Sequence, residues 1–224
     1  MKNKFITITI DGHSACGKNS VGFSICKQNN FFYLDSGLLF RLFSAVFDPD
    51  VRIENTIEWD KYLYIDDQNI FYKNTNMASL LKSEETAAQA SKLGAIPEIS
   101  TYMLQVQRDI LQKIRSNTEY LGIIITGRNG GTFVFPEADI KFFFTATPEI
   151  RAYRRFNEVC KERPDITLEN IYNEIVNRDK NDANRIFAKL ESHPEAIIID
   201  TSTIDKIKIF EMVNICINKK IAEQ

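Results

Sequence analysis

The sequence predicts an α/β fold in three layers, with helices covering both faces of a parallel sheet. Two observations predict it. Strand-like and helix-like segments alternate from the beginning of the chain, as in folds built from β-α-β units. A later strand, Ile123-Ile124-Ile125, is apolar without interruption, as a strand covered on both faces should be.

The individual elements follow from residue spacing. A β-branched run at 5–10 ends at the turn signal Asp11-Gly12, and apolar residues recur at helical spacing after it. The predicted strands are 5–10, 31–34, 70–72, 123–125, 141–144 and 196–200. The predicted helices are 18–29, 37–47, 98–116, 148–161, 167–180 and 204–220.

The pattern changes between about 48 and 97. Polar turns at 66–69 and 73–76 flank a short strand, and a partly acidic helical segment follows at 83–93. We therefore expect one domain, 1–224, with an inserted subdomain at 48–97.

Composition excludes several classes of protein. The chain has 224 residues, 44% of them hydrophobic and 26% charged, which is the range of an ordinary globular domain. A formal net charge of -2 argues against a broad basic face for a nucleic-acid polymer. The four cysteines form no C-x-x-C pair, and no uncharged apolar run approaches the ~20 residues of a membrane helix. We expect a cytoplasmic protein, a monomer, that binds neither a nucleic-acid polymer nor a membrane.

The strongest motif lies between the first predicted strand and helix. Residues 12–18 fit the phosphate loop G-x-x-x-x-G-K, in which backbone N–H groups surround phosphates and the lysine reaches the β/γ oxygens. The hydroxyl residue that usually follows the lysine is replaced by Asn19. We expect the loop to bind ATP. Its candidate residues are Gly12, Ser14, Ala15, Cys16, Gly17, Lys18, Asn19 and Ser20.

Further segments match a known family in the same order along nearly the whole chain. Tyr33-Leu34-Asp35-Ser36-Gly37, followed by Phe40-Arg41, resembles the Y-L-D-S-G-x-x-[YF]-R segment of bacterial cytidylate kinases. The other matching segments are Ala90-Ser91-Lys92, Ala95-Ile96-Pro97-Glu98, Gln107-Arg108, Gly127-Arg128, 131–138, Arg178-Asp179, Asp182 and Asn184-Arg185.

The resemblance implies a P-loop nucleoside monophosphate kinase that uses ATP and Mg²⁺ to phosphorylate CMP or dCMP. It implies catalytic roles for Lys18, Arg128 and Arg185, an ATP contact for Arg154, and a short lid at 156–167. The implied acceptor-binding residues are Ser36, Arg41, Ser91, Ser100, Arg128, Asn129, Arg178, Asp182 and Arg185.

The arginines suit this chemistry on physical grounds. Phosphoryl transfer depends on positioning and charge neutralisation, and a planar guanidinium can bind phosphate through two hydrogen bonds. For Arg151, Arg154 and Arg155, at the start of the lid, a cluster of solvated charges on a helix face is an equally good interpretation.

Two departures from the family pattern affect the acceptor base. Asn129 replaces an aspartate, and Ser100 replaces an arginine, at places that help to read cytosine in the family. An asparagine can donate as well as accept a hydrogen bond, which also suits a uracil carbonyl. We expect a pyrimidine monophosphate, with cytosine favoured. The alternative is another acceptor, such as UMP, a deoxynucleotide or a modified nucleotide.

Other departures affect the metal and catalysis. Thr126 stands where the family often has an acidic residue, which leaves Asp35 as the candidate Mg²⁺ residue, acting through water, with Asp11 as the other nearby carboxylate. Asp35 could instead be a helix cap or a turn residue. Together with Ala15 and Asn19, Thr126 also leaves open a nucleotide-binding module that does not catalyse.

Overall fold

The computed structural model describes residues 5–47, 53, 63–66, 69–117 and 119–223. The strands are β1 Ile6–Gly12, β2 Phe31–Asp35, β3 Leu63–Asp66, β4 Asn69–Tyr72, β5 Thr75–Asn76, β6 Gly122–Thr126, β7 Ile140–Thr145 and β8 Ile197–Asp200. The helices are α1 Lys18–Asn29, α2 Ser36–Val46, α3 Ala78–Lys82, α4 Glu84–Leu93, α5 Pro97–Ser116, α6 Pro148–Val159, α7 Leu168–Ala183 and α8 Lys206–Ala222. A π-helical turn occupies Gly130–Val134.

Five strands form a parallel sheet in the order β2-β6-β1-β7-β8. Every residue of β1 and of β6 is buried, in agreement with the apolar run Ile123-Ile124-Ile125 of β6. The predicted α/β fold with a parallel sheet is confirmed.

Helices cover both faces of this sheet. Successive side chains of a strand point to opposite faces, so Ile124 packs in one layer while Ile123 and Ile125 pack in the other. The layer around Ile124 contains α1 and α8, and the opposite layer contains α2 and α5. Together with the sheet they make the three predicted layers.

A third, smaller apolar cluster joins α6 to α7. Ala152 and Val159 of α6 pack with Ile171 and Ile175 of α7. The N-terminus of α6 is capped by the Thr147 hydroxyl, and α7 begins with a reciprocal Thr167–Asn170 capping box. Residues 160–167, which connect the two helices, include most of the predicted lid (156–167).

The inserted subdomain was predicted at 48–97, and residues 48–52, 54–62, 67 and 68 of it lie outside the described residues. Its described part contains an antiparallel sheet in the order β3-β4-β5 and the helices α3 and α4. The turn between β4 and β5 places Lys73 and Asn74 at φ 50° and 62°, the left-handed conformations of a two-residue hairpin turn. No helix in the described ranges is both long enough and apolar enough to cross a membrane.

Candidate active site

The predicted site residues gather at the carboxyl ends of the parallel strands. β1 ends at Gly12, β2 ends at Asp35, and β6 ends at Thr126, just before Gly127-Arg128. Open parallel sheets bind ligands at this edge, because the loops and the helix N-termini meet there.

The phosphate loop has the backbone shape that its glycines predict. Gly12 has a φ of 137°, and a Cβ at this position would lie 1.9 Å from the carbonyl oxygen of Phe144, so no other residue fits. Ala15 and Gly17 are also left-handed, at φ 60° and 85°. Such turns direct successive N–H groups toward one point, where they bind anions.

Lys18 is folded back onto the loop. Its ammonium donates a hydrogen bond to the carbonyl oxygen of His13, with Nζ 2.5 Å from that oxygen, and the residue is only 5% exposed. Burial, together with the nearby guanidinium of Arg128, lowers the pKa of Lys18 to about 7. A phosphate at the loop would replace the carbonyl as the hydrogen-bond partner and restore the charge.

The remaining loop residues are fixed by neighbouring elements. Cys16 is fully buried, its carbonyl accepts a hydrogen bond from the Thr201 hydroxyl at 3.2 Å, and burial raises the pKa of its thiol. The half-buried Ser14 offers its carbonyl to the Cys16 thiol, and the carbonyl of Ser20 accepts from the Ser24 hydroxyl. These contacts give the loop side chains supporting roles and leave the N–H groups for a ligand.

Asp35 caps the next helix. Its Oδ1 accepts from the N–H groups of Gly37 and Leu38 at the start of α2, and its Oδ2 accepts from Nδ2 of Asn19 at 2.5 Å. The cap that was one interpretation of Asp35 is therefore present. The carboxylate also connects the end of β2 to the beginning of α1.

An arginine cluster, defined as Arg41, Arg128, Arg178 and Arg185, lies beside the loop. Asp182 accepts from Arg128 through Oδ2 at 3.1 Å and forms an ion pair with Arg185 through Oδ1 at 2.8 Å. Arg185 also points at Ser91, whose hydroxyl and carbonyl oxygens lie 3.5 and 3.4 Å from Nη2. Residues that are far apart in the sequence are thus brought together.

The surroundings of Arg178 disfavour its charge. Its Nε is buried and has no hydrogen-bond partner among the described residues. The charge of Arg128, followed by burial, lowers the pKa of Arg178 to about 10, and Asp182 opposes this shift. A cation whose buried N–H donor is unmet is a site that an anion would complete.

Arg41 and Ser36 reach the same region from α2. Arg41 donates to the Leu81 carbonyl at the end of α3, with a donor–acceptor distance of 2.6 Å. The Ser36 hydroxyl donates to the carbonyl of Thr126 at 2.9 Å. Arg41 therefore connects the arginine cluster to the part of the chain predicted as the inserted subdomain.

The two expected base-pocket residues are held by backbone carbonyls. Ser100 is buried, and its hydroxyl donates to the Gly94 carbonyl at 2.7 Å. Asn129 donates through Nδ2 to the Ala188 carbonyl at 3.0 Å. No hydrogen bond joins Ser100 to Asn129 among the described residues.

The match to a family model decides the family. The cytidylate kinase model matches residues 8–219. The chain belongs to the cytidylate kinase family. Curated cytidylate kinases from Chromobacterium violaceum and Dichelobacter nodosus are 34% and 32% identical to it. The first alignment covers 89% of this chain and 90% of the relative, and the second covers 92% and 94%.

A comparison with solved structures supports the fold. The solved structure of an uncharacterized protein from Eubacterium ventriosum is similar with a TM-score of 0.51 at 14% identity, over 95% of this chain and 98% of that one. As a member of the cytidylate kinase family, this chain is a phosphotransferase.

Two of the three arginines at the start of the predicted lid are not solvated charges on a helix face. Arg151 is 2% exposed and is held by Asp179. Arg154 donates to both the hydroxyl and the carbonyl of Thr201, which in turn donates to the phosphate loop at Cys16. Arg155 alone matches that interpretation, because it pairs with the exposed Glu158 one turn away.

Sequence reasoning missed the principal role of Asp11. The carboxylate of this fully buried residue accepts from the N–H groups of Gly130 at 2.8 Å and Gly131 at 2.7 Å. Burial raises the pKa of Asp11, and these two hydrogen bonds oppose the shift. Asp11 thus holds the turn that follows Arg128 against β1. An aspartate at the end of a buried strand was the only sequence signal for this contact.

Proposed function

We propose that the protein transfers the γ-phosphoryl group of MgATP to the phosphate of a pyrimidine nucleoside monophosphate, CMP or dCMP. One observation carries this proposal. Lys18 of the phosphate loop lies close enough to Arg128 of the arginine cluster for Arg128 to lower the pKa of Lys18. The phosphate loop and the arginine cluster are therefore two cationic sites close enough to interact electrostatically.

Adjoining cationic sites suit two phosphate-bearing ligands. Like charges that are buried together destabilise the folded protein unless an anion offsets them. In this chain Arg128 lowers the pKa of both Lys18 and Arg178, so the unfavourable interaction extends across both sites. ATP at the loop and a monophosphate at the arginine cluster would relieve it, with their phosphates next to each other.

The proposed reaction is an in-line displacement. An oxygen of the acceptor phosphate forms a bond to the γ-phosphorus, the bond from that phosphorus to the β,γ-bridging oxygen breaks, and ADP leaves with the bonding electrons. Lys18 would bind the oxygens of the transferring group on one side. Arg128 and Arg185, held in register by Asp182, would bind it and the acceptor phosphate on the other.

The other predicted site residues have supporting roles in this proposal. Arg41, Arg178 and Ser36 would orient the acceptor phosphate, and Ser91 and Asp182 the remainder of the acceptor. Arg154 would contact ATP beside Thr201. Closure of the predicted lid would exclude water, which competes as an acceptor. A cytoplasmic monomer is our expectation from the sequence.

A magnesium ion fits the donors that are present. No group of three or more His, Cys, Asp or Glu side chains in the described ranges could hold a metal by itself. Magnesium in kinases needs fewer protein ligands, because it keeps several waters and binds through the substrate phosphates and one or two protein oxygens. Asn19, which directly follows Lys18, would supply such an oxygen, and Asp35 holds the Asn19 side chain. The ion, when bound, neutralises phosphate charge.

Cytosine remains the favoured base. Asn129 donates one of its two amide hydrogens to Ala188, which directs its Nδ2 toward the backbone, and Ser100 uses its hydroxyl hydrogen on Gly94, so both would offer acceptor oxygens to a base. The exocyclic amino group of cytosine is a donor, whereas the corresponding group of uracil is a carbonyl. The hydrogen bonds of these two residues therefore support CMP rather than UMP.

The decisive experiment measures ADP release from MgATP with CMP, dCMP, UMP, dUMP, dTMP, AMP and GMP as acceptors, with Lys18→Ala as the control. We expect release with CMP or dCMP. Release with a different monophosphate would assign another acceptor. ATP binding without release across the whole panel would overturn the proposal in favour of a non-catalytic nucleotide-binding module.

A further inference from the structure

Asn19 and Asp35 form a side-chain pair between α1 and β2. Asn19 follows the phosphate-loop lysine directly and is exposed, and its Nδ2 lies 2.5 Å from Oδ2 of Asp35. The general phosphate-loop motif places a serine or threonine at this position, and the hydroxyl of that residue binds Mg²⁺. Asn19 is thus at the place from which a phosphate loop reaches its metal ion.

The pairing determines which atom of Asn19 is available. An ionised carboxylate only accepts hydrogen bonds, so the amide nitrogen must be the atom that faces Asp35. The amide oxygen, Oδ1, is then directed elsewhere, and no donor in the described part of the chain reaches it. Asp35 is itself fixed, because its other oxygen accepts from the N–H groups of Gly37 and Leu38. The pair therefore presents an oriented oxygen next to Lys18.

The end of β6 offers no competing ligand. Thr126 is fully buried, and its hydroxyl shares a hydrogen bond with the Tyr33 hydroxyl at 3.1 Å. The Thr126 carbonyl accepts from Ser36. Thr126 therefore does not compete with Asn19 for a metal ion near the phosphates.

We propose that Asn19 Oδ1 supplies the protein's oxygen ligand to the Mg²⁺ that accompanies ATP, and that Asp35 orients it. This inference rests on the proposed function for the presence of MgATP. A neutral amide oxygen is a hard ligand of the kind that Mg²⁺ takes alongside phosphate oxygens and waters. Asp35 acts on the ion through Asn19 and is a positioning residue.

The test measures ATP affinity by calorimetry, once with excess Mg²⁺ and once with EDTA. The ratio of the two dissociation constants gives the contribution of the metal. Asn19→Ala should reduce this ratio by roughly tenfold, the effect expected when support for a metal ion is removed. Its ATP affinity in EDTA should remain that of the natural protein. Asn19→Ser, which restores the usual hydroxyl, should retain most of the ratio.

Asn29→Ala is the matched control. Asn29 lies at the other end of the same helix, where its amide donates to the Ile25 carbonyl and to Asn214, and the ratio should not change. A natural ratio in Asn19→Ala, or an equal loss of affinity with and without Mg²⁺, would overturn the inference. Because the ratio measures binding, it is informative whether or not the natural protein releases ADP, so this inference and the proposed function can fail separately.

Discussion

Arg151 holds both oxygens of the Asp179 carboxylate, with nitrogen–oxygen distances of 3.0 and 2.5 Å. Its Nε donates to the Ala146 carbonyl just after β7, so three nitrogens of the guanidinium are bound. The pair fixes α6 against α7 and holds both beside the sheet. Arg178 directly precedes Asp179 in α7, so the Arg151–Asp179 pair also helps to position this member of the arginine cluster.

Removal of Arg151 should destabilise the protein. Arg151→Met leaves the Asp179 carboxylate partly buried without its partner, and we expect the free energy of unfolding to fall by about 3 kcal/mol in denaturant titrations. Glu158→Ala, on the same helix, removes an exposed carboxylate and its ion pair and should cost no more than about 0.5 kcal/mol. Equal losses in the two variants would show that the Arg151–Asp179 pair is not specifically stabilising.

ATP binding should be accompanied by proton uptake. With a pKa of about 7, Lys18 is mostly neutral at pH 8 in the free protein, and phosphate oxygens favour its charged form. Calorimetry at pH 8 in buffers of different ionisation enthalpy should show an uptake that approaches about one proton. Lys18→Arg, which is charged throughout, should lack this uptake. The same proton count in both proteins would refute the assignment to Lys18.

Arg178 should matter for the acceptor and not for the stability of the free protein. Its buried Nε has no partner and its charge is disfavoured, so Arg178→Met should leave the free energy of unfolding unchanged or raised in anion-free buffer. The KM for the acceptor should rise at least about tenfold, as expected for the loss of a hydrogen bond to a charged group. The exposed Lys180→Met is the control. A destabilised Arg178→Met with a natural KM would contradict the assignment.

Asn129 should select the base. Its Nδ2 is bound to Ala188, and its Oδ1 is left for a donor such as the cytosine amino group. Asn129→Ala should therefore lower the ratio of kcat/KM for CMP over UMP by about 1–3 kcal/mol in free-energy terms, by analogy with base readout. Steady-state kinetics with both acceptors measure this ratio. A fall in both kcat/KM values with an unchanged ratio would assign Asn129 to the support of the loop at Ala188.

Elements with a local signal were predicted closely. The helix predicted at 167–180 is Leu168–Ala183, and the strand predicted at 141–144 is Ile140–Thr145. Short elements were missed. The five residues of α3 contain little more than one helical turn, so periodicity cannot identify them. The four residues of β3 and the two of β5 are likewise too few to show an alternating pattern. The single strand predicted at 70–72 is the middle strand of that small sheet.

In the site, too, features set by neighbouring residues could be predicted and features set by distant residues could not. The phosphate loop could be predicted because its residues are contiguous. The partner of Asp11 could not, because Gly130 is 119 positions away and the contact exists only once the sheet is assembled. The locations of Lys18 and Asn129 also depend on backbone carbonyls, at His13 and Ala188, which carry no residue-specific signal.

Because of the strand order, this site can form only late in the synthesis of the chain. β6 lies between β1 and β2, and Ile6 and Phe31 both pair with Gly122. A growing chain therefore carries its phosphate loop for more than a hundred residues before the neighbours of β1 emerge, and contacts of such long sequence separation form slowly. Until then two apolar strands have exposed edges, so the nascent chain is most prone to aggregation before β6 is complete.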